Sequence, residues 1–254
     1  MNQTENALKS SSQSPQAADP ETIKSLIADL GSKDIAVRKK AHQFLFDVGE
    51  SVVRQLVEAL SSQNKQIRWE AGKLLEEIDV TWSNHADSKT INALISDLGS
   101  KDGLVRVRAR MALVTIGREV VPSLKKALAS KEDWKRWEAA KALCEIGDPS
   151  AIDVLIKALE DEMFDVRWVA AEGLIAIGQK TLEPLLIEIT KHADSAWLLE
   201  GAHRIFHGLG KDELKPILQP VLQALEGIDV QSEVPFAANA GLKLLADFLA
   251  KSPR

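Results

Sequence analysis

The side chains of this sequence that could do acid–base or metal chemistry are few. The chain has five histidines and one cysteine, Cys144. His85 and His192 each begin a His-Ala-Asp-Ser segment, but one His-x-Asp pair supplies too few ligands for a metal ion. A reactive Cys144 would need a lowered pKa, which Lys141 could provide, and a small half-buried residue is the simpler interpretation. The sequence predicts no catalytic residue, no metal site and no cofactor, and so favours a non-enzyme.

Residues suited to binding a partner are more numerous than residues suited to catalysis, because several tryptophans stand beside arginines. Trp69, Trp137 and Trp168 each directly follow an arginine. Tryptophan is enriched in binding hot spots, and contiguous exposed apolar area marks an interface. The alternative is that these indoles pack over neighbouring helices or on an arginine.

The arginines belong to a recurring phrase, Val/Ile-Arg-x-x-Ala-x-x-x-Leu-x-x-Ile-Gly. Spacings between successive copies are 30, 38, 30 and 31 residues. Self-similarity at this period is typical of stacked helical repeats. The single long step predicts a loop insertion near residues 79–89. The five repeated arginines are Arg38, Arg68, Arg106, Arg136 and Arg167.

Each repeat is predicted to be two antiparallel helices, A and B. Helix A carries leucines 12 and 8 residues before the arginine, which gives one apolar stripe. Helix B ends at a glycine suited to a left-handed stop: Gly49, Gly117, Gly147 and Gly178. The predicted fold class is all-α, a right-handed α-solenoid of about six to seven antiparallel helix pairs.

The array is predicted to occupy residues 19–254 as a single domain after a disordered tail at 1–18. The tail is polar and rich in Ser, Gln and Asn, which is typical of disorder. Asp19 is a good N-cap and Pro20 suits the first helical turn. The sixth repeat is degenerate, and the phrase is lost from about residue 211, as expected of a capping repeat.

The phrase with its acidic turn residue resembles the short HEAT repeats of the phycobilisome-lyase type over roughly residues 20–210. Proteins with such repeats include bilin lyase subunits, deoxyhypusine hydroxylases and scaffold proteins. Deoxyhypusine hydroxylases bind a di-iron centre through His-Glu pairs, and no histidine here is followed by Glu. Bilin lyases lack so simple a signature and stay possible.

In HEAT-type solenoids the B helices line the concave side. At about 100° per residue, the position after the arginine lies nearly opposite the core of helix B. The predicted groove therefore carries an aromatic and aliphatic stripe bordered by charged residues. Its members are Trp69, Trp134, Trp137, Trp168, Trp197, Lys39, Phe46, Lys73, Arg108, Met111, Lys141, Cys144 and Glu172.

The repeated arginines have a structural interpretation, because acids stand in the nearby turns. Asp34, Asp102, Glu132 and Asp165 are predicted to form with them a ladder of charge-assisted hydrogen bonds between adjacent repeats. Binding of a ligand phosphate or carboxylate by the arginines is the alternative.

Composition narrows the choice of partner. The formal net charge of −5 and a pI of about 5.6 make a nucleic-acid partner unlikely. No apolar run reaches membrane-spanning length and the N-terminus does not resemble a signal peptide, so we expect a cytoplasmic protein without membrane contact. The leading hypothesis is a non-catalytic scaffold that binds a protein or peptide in its concave groove. The alternative is a bilin lyase subunit or bilin-attachment chaperone, whose aromatic stripe would hold a tetrapyrrole.

Overall fold

The computed structural model describes residues 19–78, 86–210 and 213–251. Within these ranges it consists of helices and turns without a strand, which confirms the predicted all-α class. The predicted disordered tail at 1–18 and most of the predicted insertion at 79–89 lie outside the described residues. At the end of that insertion, Ser88 and Lys89 already belong to a helix.

The chain divides into two compact units. The first contains residues up to Asp97 together with Asp102–Ile116, and the second contains Leu98–Lys101 and the residues from Gly117 onward. Helices of the first unit are α1 (Pro20–Asp29), α2 (Ile35–Val48), α3 (Val53–Ala59), α4 (Lys65–Ile78), α5 (Ser88–Asp97) and α6 (Gly103–Ile116). Those of the second are α7 (Val121–Leu128), α8 (Asp133–Ile146), α9 (Ile152–Ala158), α10 (Phe164–Ile177), α11 (Leu182–Lys191), α12 (Ala196–Leu209), α13 (Lys215–Leu225) and α14 (Val230–Lys251).

The described helices form seven successive pairs, within the predicted range, and each unit has the layered packing of a helical-repeat solenoid. In the first unit the B helix α4 packs between the B helices α2 and α6. In the second unit α10 packs between α8 and α12, while the A helix α9 contacts the A helices α7 and α11. A single continuous array over both units stays a prediction.

Helix boundaries follow the predicted capping signals. The side chain of Asp19 accepts hydrogen bonds from the backbone N–H groups of Glu21 and Thr22 at 3.1 and 3.0 Å, with Pro20 in the first turn. All four predicted stop glycines have positive φ angles, where a side chain would be strained. The angles are 68° at Gly49, 80° at Gly117, 64° at Gly147 and 83° at Gly178.

The core of each unit is built from the repeated alanines and leucines. The alanines of the phrase let neighbouring B helices approach closely, and the leucines fill the space between the A and B layers. Nine of the ten predicted helix-A leucines are buried, and Leu26 is half-buried. Burying each leucine contributes about 1.5–3 kcal/mol. Fully or nearly fully buried examples are Ala41, Leu45, Ala71, Leu75, Ala139, Leu143, Ala170 and Leu174.

The last helix pair departs from the order of the others. In the second unit, B helices pack on B helices, but α14 packs on the A helix α11 as well as on its partner α13. Helix α13 in turn contacts the B helix α12. Gly241 of α14 lies in this contact, where a Cβ would meet Val221 at 3.4 Å and Leu186 at 3.7 Å, which are ordinary van der Waals distances. The predicted cap therefore covers both layers, with its two helices in reversed order.

Candidate functional site

A cleft of about 610 Å³ lies on the B helices of the first unit. Three residues of the predicted groove line it: Lys39 from α2, and Trp69 and Lys73 from α4. The other lining residues are Ile35, Arg38, His42, Gln43, Lys65, Gln66, Glu70, Asp102, Leu104 and Val105. The helical projection of the sequence thus brings part of the predicted groove to a real concavity.

This cleft is rich in cationic side chains although the whole chain is acidic. Arg38, Lys39, Lys65 and Lys73 face it, against the carboxylates of Glu70 and Asp102. Lys73 is held by Glu77 at 3.4 Å. Lys39 and Lys65, both exposed, have no acidic side chain within ion-pair distance among the described residues.

His42 sits in the wall of the cleft between two carboxylates. Its Nδ1 atom lies 3.2 Å from Glu70 Oε2 and its Nε2 atom 2.7 Å from Glu77 Oε2. Glu70 is 8% exposed, so its hydrogen bonds to His42 and to Gln66 (3.0 Å) satisfy a carboxylate that water hardly reaches. The network holds one wall of the cleft, which Trp69 also lines.

The second unit presents half-exposed aromatic rings on its B helices. Exposed fractions are 46% for Trp134, 45% for Trp168 and 45% for Trp197, and Phe164 reaches 54%. The rings of Trp134 and Trp137 meet edge to face at 5.6 Å on α8. Phe164 and Trp168 lie 6.0 Å apart on α10. We call Trp134, Phe164, Trp168 and Trp197 the aromatic face.

Both interpretations of the tryptophans have a structural basis, because four of them contact a cation while staying partly exposed. Lys141 Nζ lies 4.4 Å from the ring centroid of Trp137. The guanidinium groups of Arg108, Arg204 and Arg167 lie 5.7, 3.3 and 4.5 Å from the rings of Trp69, Trp168 and Trp197. Such stacking orders the indoles and leaves their outer surfaces free to contact a ligand.

The remaining predicted groove residues fall into two groups. Phe46 on α2 and Met111 on α6 are 42% and 40% exposed, as a groove position requires. Arg108 pairs with Glu76, and Glu172 accepts a 2.9 Å hydrogen bond from Arg204 Nε, so these charges also hold neighbouring B helices together. Arg204 and Phe164 were not predicted. Arg204 stands five residues after Leu199, which takes the place of the arginine in the degenerate sixth repeat, and so has the same offset as Lys73, Lys141 and Glu172.

Cys144 is half-buried on α8, in agreement with the simpler interpretation of the sequence. Desolvation by burial, reinforced by the carboxylates of Glu145 and Glu172, raises the pKa of its thiol. The possible lowering by Lys141 is therefore not observed, because Lys141 places its ammonium group over Trp137. The thiol is protonated near neutral pH.

Two of the repeated arginines, Arg68 and Arg136, join neighbouring repeats through acids other than those predicted. Arg68 donates two hydrogen bonds to Asp97, at 2.5 and 2.7 Å, and Arg136 donates two to Asp161, at 2.7 and 3.0 Å. Hydrogen bonding to Asp161 raises the pKa of the Arg136 guanidinium. Both acids lie at or just beyond the end of the next repeat's helix A. That position faces the preceding B helix, so it comes within reach of its arginine.

Asp34 and Asp165 do not take the places in the ladder that the sequence predicted. The side chain of Asp34 accepts from Ala36 N at 2.8 Å and so caps α2, while Asp165 is exposed in the first turn of α10. Asp102 also accepts from a backbone group, Leu104 N, at 2.9 Å. At Asp34 the sequence interpretation failed because a residue at a helix N-terminus turns its carboxylate to free N–H groups.

The arginines share a second contact, which the spacing of the phrase explains. Four of them donate to the carbonyl oxygen six residues earlier, in the turn between helices A and B. Arg38 donates to Ser32 O at 2.7 Å, Arg136 to Ser130 O at 3.1 Å, Arg167 to Asp161 O at 2.8 Å and Arg68 to Ser62 O. Each arginine therefore ties its own A–B turn, in addition to any bond to the next repeat.

Residues 121–204, which span α7 to the middle of α12, match a family of HEAT repeats. Residues 121–204 thus carry HEAT repeats, as the phrase predicted. It is 34% identical over 98 residues to the bilin biosynthesis protein RpcF of Synechococcus sp. (strain WH8020). That alignment covers 37% of this chain and 47% of the relative, so the chain matches about half the length of that protein.

Solved structures of repeat proteins are also similar to the chain. An engineered protein solved by the Northeast Structural Genomics Consortium has 22% identity and a TM-score of 0.44, over 88% of this chain and 68% of the other. A designed armadillo repeat protein has 19% identity and a TM-score of 0.33, over 88% and 99% of the two chains. Separately, no helix among the described residues is long and apolar enough to span a membrane.

Proposed function

We propose that this chain is a HEAT-repeat scaffold that binds a bilin during its attachment to a carrier protein, and that the cleft of the first unit is the bilin site. The observation that carries the proposal is the combination of the Trp69 indole with the free cations of Lys39 and Lys65 in one cleft of about 610 Å³. Ligand sites of this kind measure about 300–1,000 Å³. Similarity to a bilin biosynthesis protein supports the same ligand class.

The chemistry of a bilin complements these side chains. A linear tetrapyrrole is a flat conjugated chain that carries propionate carboxylates. The Trp69 ring offers a stacking surface, and the ammonium groups of Lys39 and Lys65 offer charge-assisted hydrogen bonds to the propionates. The His42–Glu70–Glu77 network supports a wall of the same cleft. No residue of the cleft needs to act as a nucleophile for this role.

Binding of a free linear tetrapyrrole to the full chain tests this proposal. We expect induced visible circular dichroism of the pigment and quenching of tryptophan fluorescence. The Lys39→Gln/Lys65→Gln variant should bind about tenfold more weakly, which corresponds to a loss of about 1.4 kcal/mol. Lys180→Gln, an exposed lysine of the second unit, is the control. A wild-type chain without induced dichroism, or equal binding by both variants, would contradict the bilin site.

A second function, binding of a partner protein, is favoured by the aromatic face of the second unit. Its four rings are each about half exposed, and exposed aromatic area of this kind is enriched in interface hot spots. Cations already stacked on the rings restrict their rotamers and so lower the entropy lost on binding. We propose the carrier protein that receives the bilin as this partner.

Affinity capture from the native host tests the aromatic face. The wild type is compared with a Trp134→Ala/Trp168→Ala/Trp197→Ala variant and with Phe236→Ala, whose ring is 81% exposed on α14. We expect a defined partner to be lost in the triple variant and retained in the control. Capture of the same proteins by all three chains would contradict the proposal that the aromatic face binds a partner.

A further inference from the structure

Two histidines and a glutamate converge on the surface of the second unit. His203 and His207 lie one turn apart on α12, with ring centroids 4.6 Å apart. The Nε2 atoms of both rings face the same carboxylate oxygen, Oε1 of Glu226, at 3.0 Å from His203 and 3.6 Å from His207. One potential ligand atom from each of the three residues lies within 4.8 Å of the other two.

The reversed order of the last helix pair creates this juxtaposition. Glu226 is the C-cap residue of α13, and α13 packs against α12. Helix α12 is fixed at its start by Ser195, whose side chain accepts from Leu198 N at 3.3 Å. Spacing four residues apart puts both imidazoles on one face of α12, and the end of α13 brings the carboxylate to that face.

We propose that His203, His207 and Glu226 form a binding site for a divalent transition metal ion of the zinc type. In a tetrahedral shell, imidazole and carboxylate ligands lie about 2.0–2.1 Å from Zn²⁺ and therefore about 3.3 Å from one another. The two observed separations from Glu226, 3.0 and 3.6 Å, bracket that value. Two imidazoles with one carboxylate suit Zn²⁺, Ni²⁺ or Cu²⁺ better than Mg²⁺ or Ca²⁺.

The surroundings leave room for a further ligand. A hollow of about 520 Å³ beside His203 is lined by the carboxylates of Asp194 and Glu200, and one of about 100 Å³ beside His207 is lined by Lys215. His207 and Glu226 are exposed, so water can reach the site.

His42 shows why a histidine between two glutamates is not sufficient. There Glu70 faces Nδ1 and Glu77 faces Nε2. The two nitrogens lie on different edges of the ring. An ion bound to one nitrogen of His42 would therefore be close to only one of the two carboxylates. At His203 and His207 one nitrogen of each ring instead lies close to the same carboxylate oxygen, so three residues bring their donor atoms within 4.8 Å of one another.

Zinc titration of the full chain, free of any histidine tag, tests the proposal. We expect one Zn²⁺ per chain by calorimetry, a rise in melting temperature with added Zn²⁺, and no such response to Mg²⁺ or Ca²⁺. With Co²⁺ as a probe, intense visible absorption would show a four-coordinate site. His203→Asn, His207→Asn and Glu226→Gln should each weaken zinc binding at least about tenfold.

His192→Asn is the matched control, because His192 is an exposed histidine of the same unit that faces a single carboxylate, Glu188, at 3.6 Å. It should bind zinc as the wild type does. Circular dichroism of all variants should be unchanged, since the side chains of His203, His207 and Glu226 are 38%, 59% and 57% exposed. A wild type that binds no zinc at micromolar concentration, or ligand variants that bind as tightly as His192→Asn, would overturn the proposal. Neither outcome bears on the bilin cleft, which lies in the other unit.

Discussion

The guanidinium carbon of Arg204 lies 3.3 Å from the ring centroid of Trp168, across the contact between α12 and α10. The same guanidinium hydrogen-bonds Glu172 on α10. Arg204 thus holds one B helix to the next through an aromatic ring and a carboxylate at once. The aromatic face is therefore part of the packing between repeats as well as a candidate interface.

We expect a measurable coupling between Trp168 and Arg204. Trp168→Ala and Arg204→Ala should each destabilise the protein, and a double-mutant cycle should give a coupling free energy of about 0.5–1 kcal/mol. Urea denaturation of the four chains measures it. The control cycle combines Trp168→Ala with Lys191→Ala, at the exposed end of α11, where we expect additivity. A coupling free energy no larger than that of the control cycle would contradict a stabilising contact between Trp168 and Arg204.

The ion pair of Arg136 with Asp161 should contribute more to the free energy of unfolding than Asp165, one of the acids that the sequence predicted for the ladder. Side chains of the pair are 13% and 10% exposed, so Arg136→Leu leaves a nearly buried carboxylate without its cation. We expect a loss of about 2–3 kcal/mol in unfolding free energy, somewhat below the usual cost because Asp161 also accepts from Met163 N. Asp165→Asn, at an exposed site, should cost less than about 0.5 kcal/mol. Equal losses would contradict this assignment.

Two glycines should respond to alanine with opposite signs. Gly147 ends α8 with a φ of 64°, so Gly147→Ala places a side chain in the left-handed region and should cost about 1 kcal/mol. Gly72 lies inside α4, and a Cβ there would meet Leu60 at an ordinary 3.7 Å. Gly72→Ala should therefore stabilise the protein by about 0.5–1 kcal/mol through helix propensity. Thermal denaturation distinguishes the two.

Cys144 should be a slow nucleophile. Because burial and two nearby carboxylates raise its pKa, the thiolate fraction at pH 8 is smaller than for a free cysteine. Alkylation of the folded chain should be several-fold slower than that of a free thiol, and its rate should keep increasing with pH beyond the ordinary pKa. The unfolded chain in guanidinium should react at the rate of a free thiol. Fast alkylation of the folded chain at neutral pH would contradict the raised pKa.

The sequence predicted local structure well, because the same pattern of core, capping and turn residues recurs in five repeats. The four glycine stops, the Asp19 cap and the buried leucines all follow from backbone sterics and helical periodicity, which act within one or two turns. Lys39, Trp69 and Lys73 could be assigned to a common surface for the same reason. The number of residues between each of them and the core alanine determines which face of helix B they occupy.

Contacts between helices were decided only by the tertiary structure. Asp97 and Asp161 pair with arginines one repeat earlier. No spacing rule separates them from Asp34, whose carboxylate accepts from Ala36 N, or from the exposed Asp165. The reversed last pair brings Glu226 to His203 and His207, although 23 residues separate His203 from Glu226 along the chain. By itself the sequence determined the helices and their buried faces, because these depend on neighbours a turn away. The ion pairs, the cationic cleft and the histidine–glutamate cluster depend on which helix ends meet, and only packing of whole layers decides that.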